Sequence, residues 1–594
     1  MHARLPWRRL AVPLLMLLAL CEAAPGAGRT RPNIVLLLAD DWGFSDVGAY
    51  GGEIATPNLD ALAQRGVRFS NFHVAASCAP TRSMLMTGVD SHRNGVGNMP
   101  ESIPQSHQGQ PGYLGVLDRN VVTIASLLKD NGYRTYMAGK WHLGAEAHNL
   151  PPARGFERSF IQADSGSDNW EDRVYLDIKD RVYWYEDGRQ TGIPKDFYSS
   201  TFFTDKAMAY IGANHGDGKP FFAYLAYQAN HIPLQAPQSF IDKYKGAYKD
   251  GWTVLRQQRR ARAIELGLIP KDAPMVTMPT TRDWNALSEA DKAYEARRME
   301  VYAAMADAMD HEIGRLIAYL KSIGQYDNTV FVFMSDNGAE ASDPYTVLVA
   351  RLWLDWKYSR DIDRLGAKGA YAVIGPSWAS AAVSPLSTYK FYGGEGGLRV
   401  PLIMAGPGIR QNLIKHAFTH VSDIVPTLLA VADVAPHQGS YRGRPVEPLA
   451  GVSLVPLLRG ESERVHGADK AIGYELSGNA ALFKGDFKLV KVMRPAGDGQ
   501  WRLYNLQTDP GEVNDLGAQM PERFKAMLAD YEHYAKTHGV LPMPDGYDPL
   551  RQVRNNALVN VYLPRLKALA PALLALLVLM VAGLVWRRRR GPRH

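Results

Sequence analysis

The first clear pattern in the chain is a nearly continuous apolar run at 33–38 that leads into Asp40-Asp41. Such a run suits a strand buried on both faces, as in a parallel sheet between helices. Residues 221–227 and 330–334 repeat it, and 133–137 reads as a further strand. Helical patterns lie between these runs. Thr56-Pro57 opens a short helix through Gln64, with Gly66 just past its end. Residues 121–130 are helical in pattern, and 291–321 form a long stretch rich in Ala, Met and Glu. Strands alternating with helices predict an α/β sandwich around a large, mainly parallel sheet, over residues 32–465.

After about residue 465 the texture changes. Short strand-like pieces at 471–475, 481–483, 487–492 and 501–505 are separated by turn residues, and a helical pattern follows at 521–536. Residues 466–538 therefore read as a small antiparallel sheet with a packing helix. Residues 539–567 read as a Pro-containing linker. The stretches 165–201 and 341–387 lack periodicity and are expected to be long loops that rim a site.

Both ends look membrane-directed. Arg4, Arg8 and Arg9 precede an apolar stretch at 10–20 and a run of small residues, the pattern of a signal peptide over 1–28. Cys21 invites a lipidation reading, but Leu20 stands where such sites want a small residue. Residues 568–586 are 19 positions without a charge, followed by Arg587–Arg590. At ~1.5 Å per residue that helix approaches the thickness of a hydrocarbon core. The positive-inside tendency puts the tail, 587–594, in the cytoplasm and the body outside.

Charge then changes meaning. The whole chain of 594 residues carries +7. The first 31 residues carry +4 and the last eight +5, which leaves −2 for the body. The basic balance is no argument for a nucleic-acid partner. Apolar content of 46% with 21% charged residues excludes a disordered chain. Only Cys21 and Cys78 exist, so a processed body holds no intramolecular disulfide; it also has no N-x-Ser/Thr site. These points favour a bacterial periplasm, with the body tethered to the inner membrane.

Two apolar strands end in oxygen-rich pairs, Asp40-Asp41 and Asp336-Asn337. Ligands in α/β sheets bind beyond the carboxyl ends of strands. If these strands are neighbours, four hard oxygen donors converge, a set suited to Ca²⁺ or Mg²⁺ rather than zinc. Cys78-Ala-Pro-Thr-Arg82 is the sharpest local signal. Pro80 is placed to start a helix closed by Gly88, so Cys78 would sit where free N–H groups favour an anion. Arg82 adds a fork of donors for a sulfuryl or phosphoryl group. A lone cysteine is otherwise most often a small buried hydrophobe.

The segment Ser77-Cys-Ala-Pro-Thr-Arg-Ser-Met-Leu-Met-Thr-Gly88 resembles the sulfatase signature, C-x-P-x-R followed by Leu-x-Thr-Gly. Gly139-Lys-Trp-His-Leu-Gly144 and Ser335-Asp-Asn-Gly338 resemble two further segments of that family. Ala153-Arg-Gly-Phe-Glu-Arg158, Pro233-Leu-Gln-Ala-Pro237, Val301-Tyr-Ala-Ala304 and Gly396-Gly-Leu-Arg-Val-Pro401 are similar to bacterial arylsulfatases of the Pseudomonas type. The C-terminal anchor departs from that type.

The resemblance implies an alkaline-phosphatase-like sandwich and an arylsulfatase activity. It implies that a separate formylglycine-generating enzyme, or an equivalent, oxidises Cys78 to formylglycine (3-oxoalanine). The hydrated aldehyde offers one hydroxyl to attack the sulfur of a sulfate ester and a second whose deprotonation ejects sulfate. Asp40, Asp41, Asp336 and Asn337, with modified Cys78, resemble the family's calcium ligands. Asp336 is also placed to take the attacking hydroxyl's proton. Arg82 would stabilise the hydrate, and Lys140 and His142 would contact Cys78 and sulfate, with His142 as the base of elimination. His231 and Lys390 resemble the leaving-group side. Outside such motifs, His73, His92, His416 and His420 read as surface or helix-end residues. The alternative is a formylglycine-dependent phosphonate monoester or phosphodiester hydrolase of the same fold. A non-catalytic tethered binding protein fits the complete motif set poorly.

Overall fold

The apolar run becomes the strand Asn33–Ala39, buried at all seven positions. In the computed structural model, which describes residues 31–589, this strand lies near the middle of a ten-stranded sheet. The expected signal peptide and the tail from residue 590 onward lie outside the described residues. Strands Thr329–Ser335 and Phe221–Ala226 flank Asn33–Ala39, both parallel to it. Arg134–Lys140 and Arg158–Gln162 continue the parallel set on one side. The three innermost of these five, Asn33–Ala39, Phe221–Ala226 and Thr329–Ser335, are the ones whose sequences are almost continuously apolar.

The edges differ from expectation. Leu402–Ala405 runs antiparallel to Thr329–Ser335 and to Gly66–Phe69, and Trp184–Glu186 with Arg189–Thr191 form an antiparallel hairpin on the other edge. The sheet is therefore mixed, with its parallel character concentrated at the centre.

Alternate residues of the central strands feed two cores. Val35, Leu37, Phe331 and Phe333 meet Val301, Tyr302, Met305 and Met309 of the long helix Glu289–Ser322. Ile34, Leu36, Leu38, Val332 and Met334 meet Leu85 and Met86 of the helix Cys78–Thr87. Each such side chain contributes ~1.5–3 kcal/mol by leaving water. The long helix starts where its sequence says it should. Ser288 caps it by accepting from the Asp291 N–H, and Glu289 and Asp291 lie in the positive first turn.

The C-terminal sheet has four antiparallel strands, Ala471–Leu476, Asn479–Lys484, Phe487–Lys491 and Trp501–Asn505. One face packs Leu482, Leu489 and Leu503 against Met527 of the helix Pro521–His538. The other face gives Tyr474, Phe483 and Val490 to the second core of the body. The change of texture at 465 thus marks a change of architecture within a shared core.

Three stretches are more ordered than expected. Residues 341–387 contain the helices Leu348–Lys357 and Gly375–Ala382, the latter fully packed around Trp378. Residues 165–201 contain the short edge hairpin and the first turn of the helix Ser199–Ala213. The expected linker contains the helix Pro549–Ala557, capped by Asp548 and docked on the body. Its Asn556 amide donates to the carbonyls of Glu101 and Ile103, 2.9 Å each. The chain then continues into the helix Leu563–Arg589. Among the described residues, one helix, over 551–586, is long and apolar enough to cross a membrane by length and composition.

Candidate active site

Parallel register sets Ala39 opposite Ser335, so two neighbouring strands end at the same level. Asp40-Asp41 and Asp336-Asn337 therefore converge beyond the sheet, all four completely buried. Asp41 turns the chain with a left-handed backbone (φ 67°), a conformation Asp tolerates better than most residues. Its N–H donates to Asp336 Oδ1 at 3.2 Å, and Asn337 Nδ2 donates to Asp41 Oδ1 at 2.7 Å. Asn337 Oδ1 is left buried without a hydrogen-bond partner.

Cys78 arrives from the other direction, as the first residue of its helix. Ser77 is extended before it, and Gly88 closes the helix in the left-handed region (φ 68°). Thr81 Oγ1 both accepts from the Ala75 N–H and donates to the Ala75 carbonyl, which fixes the loop that delivers Cys78. The thiol lies 3.4 Å from Asp40 Oδ1 and 3.9 Å from Asp41 Oδ1. One ligand atom each from Asp40, Asp41, Cys78 and Asp336 falls within a 4.8 Å cluster. Three carboxylates and an orphaned amide oxygen are hard donors that fit Ca²⁺ or Mg²⁺.

Cations ring this acidic centre. Arg82 donates from Nε to Asp336 Oδ2 at 2.9 Å and from Nη1 to the Lys140 carbonyl at 2.8 Å, while Nη2 is in ion-pair contact with Asp336 Oδ2 at 2.7 Å. Its fork is engaged with Asp336 and backbone, and Nη2 stands 3.5 Å from Asp40. Lys140 Nζ is 2.7 Å from Asp40 Oδ2. Lys390 Nζ bridges Asp41 Oδ1 and Glu340 Oε2, 2.8 Å each. Gly139, just before Lys140, has φ 117°, and a Cβ there would stand 1.9 Å from the Ala226 carbonyl oxygen, so only glycine lets the strand end this way.

Burial and charge divide the carboxylates. Burial would raise Asp40, but the charges of Lys140, Arg82 and Lys390 together hold it well below its ordinary value. Asp41 is pushed up to about 6, by burial first, against the pull of Lys390. Asp336 rises to about 6 through burial and the neighbouring Asp40 charge, against Arg82. Burial, reinforced by Asp336, pushes the Cys78 thiol well above its usual range in spite of Lys140 and Lys390. A thiolate is disfavoured here, the reverse of the setting that activates catalytic cysteines.

The two motif histidines are buried and neutral. His231 Nδ1 lies 2.8 Å from the Ile232 carbonyl, which only accepts, so Nδ1 carries the proton. Nε2 then presents its lone pair towards Ser165 Oγ at 3.5 Å and Asp41 Oδ2 at 3.8 Å. Burial, with Lys140 adding, lowers His231 to about 3. His142 follows Lys140 by two residues at φ 56°, and neither ring nitrogen has a hydrogen-bond partner. Burial first, then Lys140, Lys179 and Arg82, keep it uncharged.

Asp40, Asp41, Cys78, Arg82, Lys140, His231, Asp336, Asn337 and Lys390 thus meet in one buried cluster, while His142 is buried two residues past Lys140 without a hydrogen bond to it. Glu340 was missed. It sits four residues past Asp336 on the same strand exit, and its charge makes sense only beside Lys390. His73, His92 and His420 are not surface residues. His73 Nε2 pairs with Glu395 at 3.0 Å, His92 Nε2 with Glu475 at 2.9 Å, and His420 caps the turn Val421–Asp423. A cavity of about 460 Å³ at the seam between body and C-terminal sheet, lined by Arg399, Phe418 and Lys470 among others, contains none of the cluster.

Comparison with known proteins fits this centre to one family. The sulfatase family model matches residues 32–434. An uncharacterized sulfatase of Schizosaccharomyces pombe is 38% identical over 534 residues, covering 87% of this chain and 96% of that protein. An arylsulfatase of Klebsiella aerogenes is 37% identical over 452 residues, covering 75% and 96%. Among solved structures, Ps i-CgsB in complex with k-i-k-neocarrahexaose superposes with a TM-score of 0.61 at 24% identity, over 85% of this chain and 93% of that one. At that identity the likeness shows the fold, the alkaline-phosphatase-like sandwich. The family match and the two relatives go further: this chain belongs to the sulfatase family, the hydrolases of sulfuric esters.

Proposed function

We propose that the protein is an arylsulfatase that works through Cys78 after its oxidation to formylglycine. The observation that carries this reading is the meeting of Cys78 with Asp40, Asp41, Asp336 and Asn337 inside a ring of Arg82, Lys140 and Lys390. Such a centre is matched to a transferable anionic group. It is ill matched to a thiolate nucleophile, since burial and three carboxylates oppose the charge.

The hydrated aldehyde would supply one hydroxyl for the bond to sulfur as the alcohol leaves, and a second whose deprotonation would expel sulfate and restore the aldehyde. Asp40, Asp41, Asp336 and Asn337 would hold Ca²⁺, with Mg²⁺ as the other cation that suits oxygen donors; the ion would polarise sulfate oxygens and acidify the hydroxyl. Asp336 has a raised affinity for a proton and is placed to take the one released on attack. Arg82 holds Asp336 in position. Lys140 gives a fixed positive charge on the sulfate side. His142, neutral and with both nitrogens unpartnered, is the base that removes the second hydroxyl's proton. On the leaving-group side, Lys390 stabilises developing negative charge, and His231 Nε2 offers a site to relay the proton.

The body is exported, matured by a formylglycine-generating enzyme or equivalent, and held at the membrane by the helix that ends near Trp586; a bacterial periplasm is the compartment that fits. Support comes from the lone cysteine of the body and the apolar length of that helix. Comparing kcat/KM for an aryl sulfate and an aryl phosphonate tests the assignment. A large advantage for the sulfate is expected; a large advantage for the phosphonate overturns it.

A further inference from the structure

The helix Leu348–Lys357 breaks the usual rule for a surface helix. Its outward side exposes Leu348 by 68%, Val349 by 63%, Leu352 by 61% and Trp356 by 74%. Positions 348, 349, 352 and 356 share one helical face, so four large apolar groups form a stripe towards solvent. Basic groups border it. Lys357 Nζ lies 3.9 Å from the Trp356 ring centroid, Arg360 lies 3.9 Å over Tyr345, and Arg351 is exposed beside them. An apolar stripe with tryptophan and long cations at its margin matches the chemistry of a bilayer interface.

The same helix backs the active site. Its Leu354, with Tyr358, packs against Tyr175, Ile232, Tyr371 and Val373. Ile232 follows His231, and the Tyr175 ring lies 5.9 Å from the His231 ring. The root of the C-terminal helix stands on this rim too. Tyr562 donates to Asp177 at 2.5 Å, two residues from Tyr175. Asn556 holds the Glu101 carbonyl, and Glu101 pairs with Lys179 at 3.2 Å. A chain anchored from this rim keeps a bilayer beside the stripe at all times, which raises the effective concentration of lipid far above that of any soluble partner.

We propose that Leu348–Lys357 lies in the surface of the bilayer entered by the C-terminal helix, so that the active-site mouth opens towards the membrane. The substrate class is then a sulfate ester whose alcohol part is held in lipid, with the sulfate at headgroup level. This rests on the sulfatase reading of the site and on the anchor.

The test uses the full chain reconstituted in vesicles of zwitterionic and anionic phospholipid. Turnover of a long-chain alkyl sulfate embedded in the vesicle is compared with that of a soluble aryl sulfate. The double variant Leu352→Asp, Trp356→Asp should lower the embedded-to-soluble ratio of kcat/KM about tenfold or more, with the soluble substrate unchanged. Trp356→Phe should also remove part of the tryptophan quenching produced by brominated lipid. An unchanged ratio with unchanged quenching overturns the proposal. So does a double variant that alters the oligomeric state while the ratio holds, since a second copy would then cover the stripe. Failure to hydrolyse the soluble ester, or failure to enter vesicles, instead refutes the sulfatase or anchor reading.

Discussion

Arg82 closes on Asp336 through two nitrogens, Nε at 2.9 Å and Nη2 at 2.7 Å, with both side chains fully buried. The pair ties the helix that begins at Cys78 to the strand exit that carries Asp336. A third nitrogen holds the Lys140 carbonyl and so fixes the exit of another strand. Lysine cannot reproduce this fork.

Arg82→Lys should therefore keep the charge and lose the geometry. The expected result is a fall of roughly 100-fold or more in kcat/KM, because small misplacements at a reacting centre are costly. Arg82→Ala should in addition destabilise the fold by ~3–5 kcal/mol, as a buried carboxylate loses its partner. Kinetics with denaturant titration of both variants checks this. A Lys variant with wild-type kcat/KM would remove Arg82 from the positioning role.

Divalent cation should stabilise the folded chain. At a hundredfold excess over Kd, binding adds ~2.7 kcal/mol, seen as a Tm that depends on Ca²⁺ concentration. Chelation should lower Tm and activity together, and Ca²⁺ should restore both. Asp336→Asn should abolish the Ca²⁺-dependent part of the Tm. A Tm indifferent to chelator and to Ca²⁺ would contradict the metal site.

Lys488 ties the C-terminal sheet to the site. Its Nζ lies 2.8 Å from Glu395 and 2.8 Å from Glu512, all three buried. Glu395 opens the glycine turn whose Gly397 carbonyl accepts from the Gly338 N–H, next to Asn337. Lys488→Met should leave buried Glu512 without its cation and Glu395 with only His73 and Arg399, cost ~3–5 kcal/mol and reduce activity as well. Unchanged Tm would show that the seam carries no such load.

His92 makes the seam pH-dependent. Burial works against its charge, but Asp90 and Glu475 raise it from 6.5 to about 9. The folded state binds this proton more tightly than the unfolded chain. Its stabilisation is fully present below pH about 6.5 and is lost as pH rises through about 9, an upper bound of ~3 kcal/mol. The stability gap between wild type and His92→Gln should shrink across that window. A gap that widens with pH would contradict the pairing.

The centre of the fold was legible because its chemistry is local. Strands at Asn33 and Thr329 have no polar face, and each ends in oxygen-bearing residues that need a partner. Cys78, Pro80 and Gly88 mark a helix start and stop, and the structure places both there. Glu340 was illegible because its partner, Lys390, is distant in sequence. The helix Leu348–Lys357 escaped because it is only ten residues long and turns its apolar stripe of Leu352 and Trp356 to solvent, with Leu354 inward. Pro549–Ala557 escaped for the opposite reason. It is mostly polar and docks through the Asn556 amide, although Asp548-Pro549 is a sound helix start.

The account stands or falls on what Cys78 has become. Mass spectrometry of the peptide containing Cys78, from the full chain in preparations of graded activity, measures this directly. Activity should rise in proportion to the fraction carrying the aldehyde, and Cys78→Ala should be inactive. Full activity in a preparation that carries only the thiol would contradict the central claim.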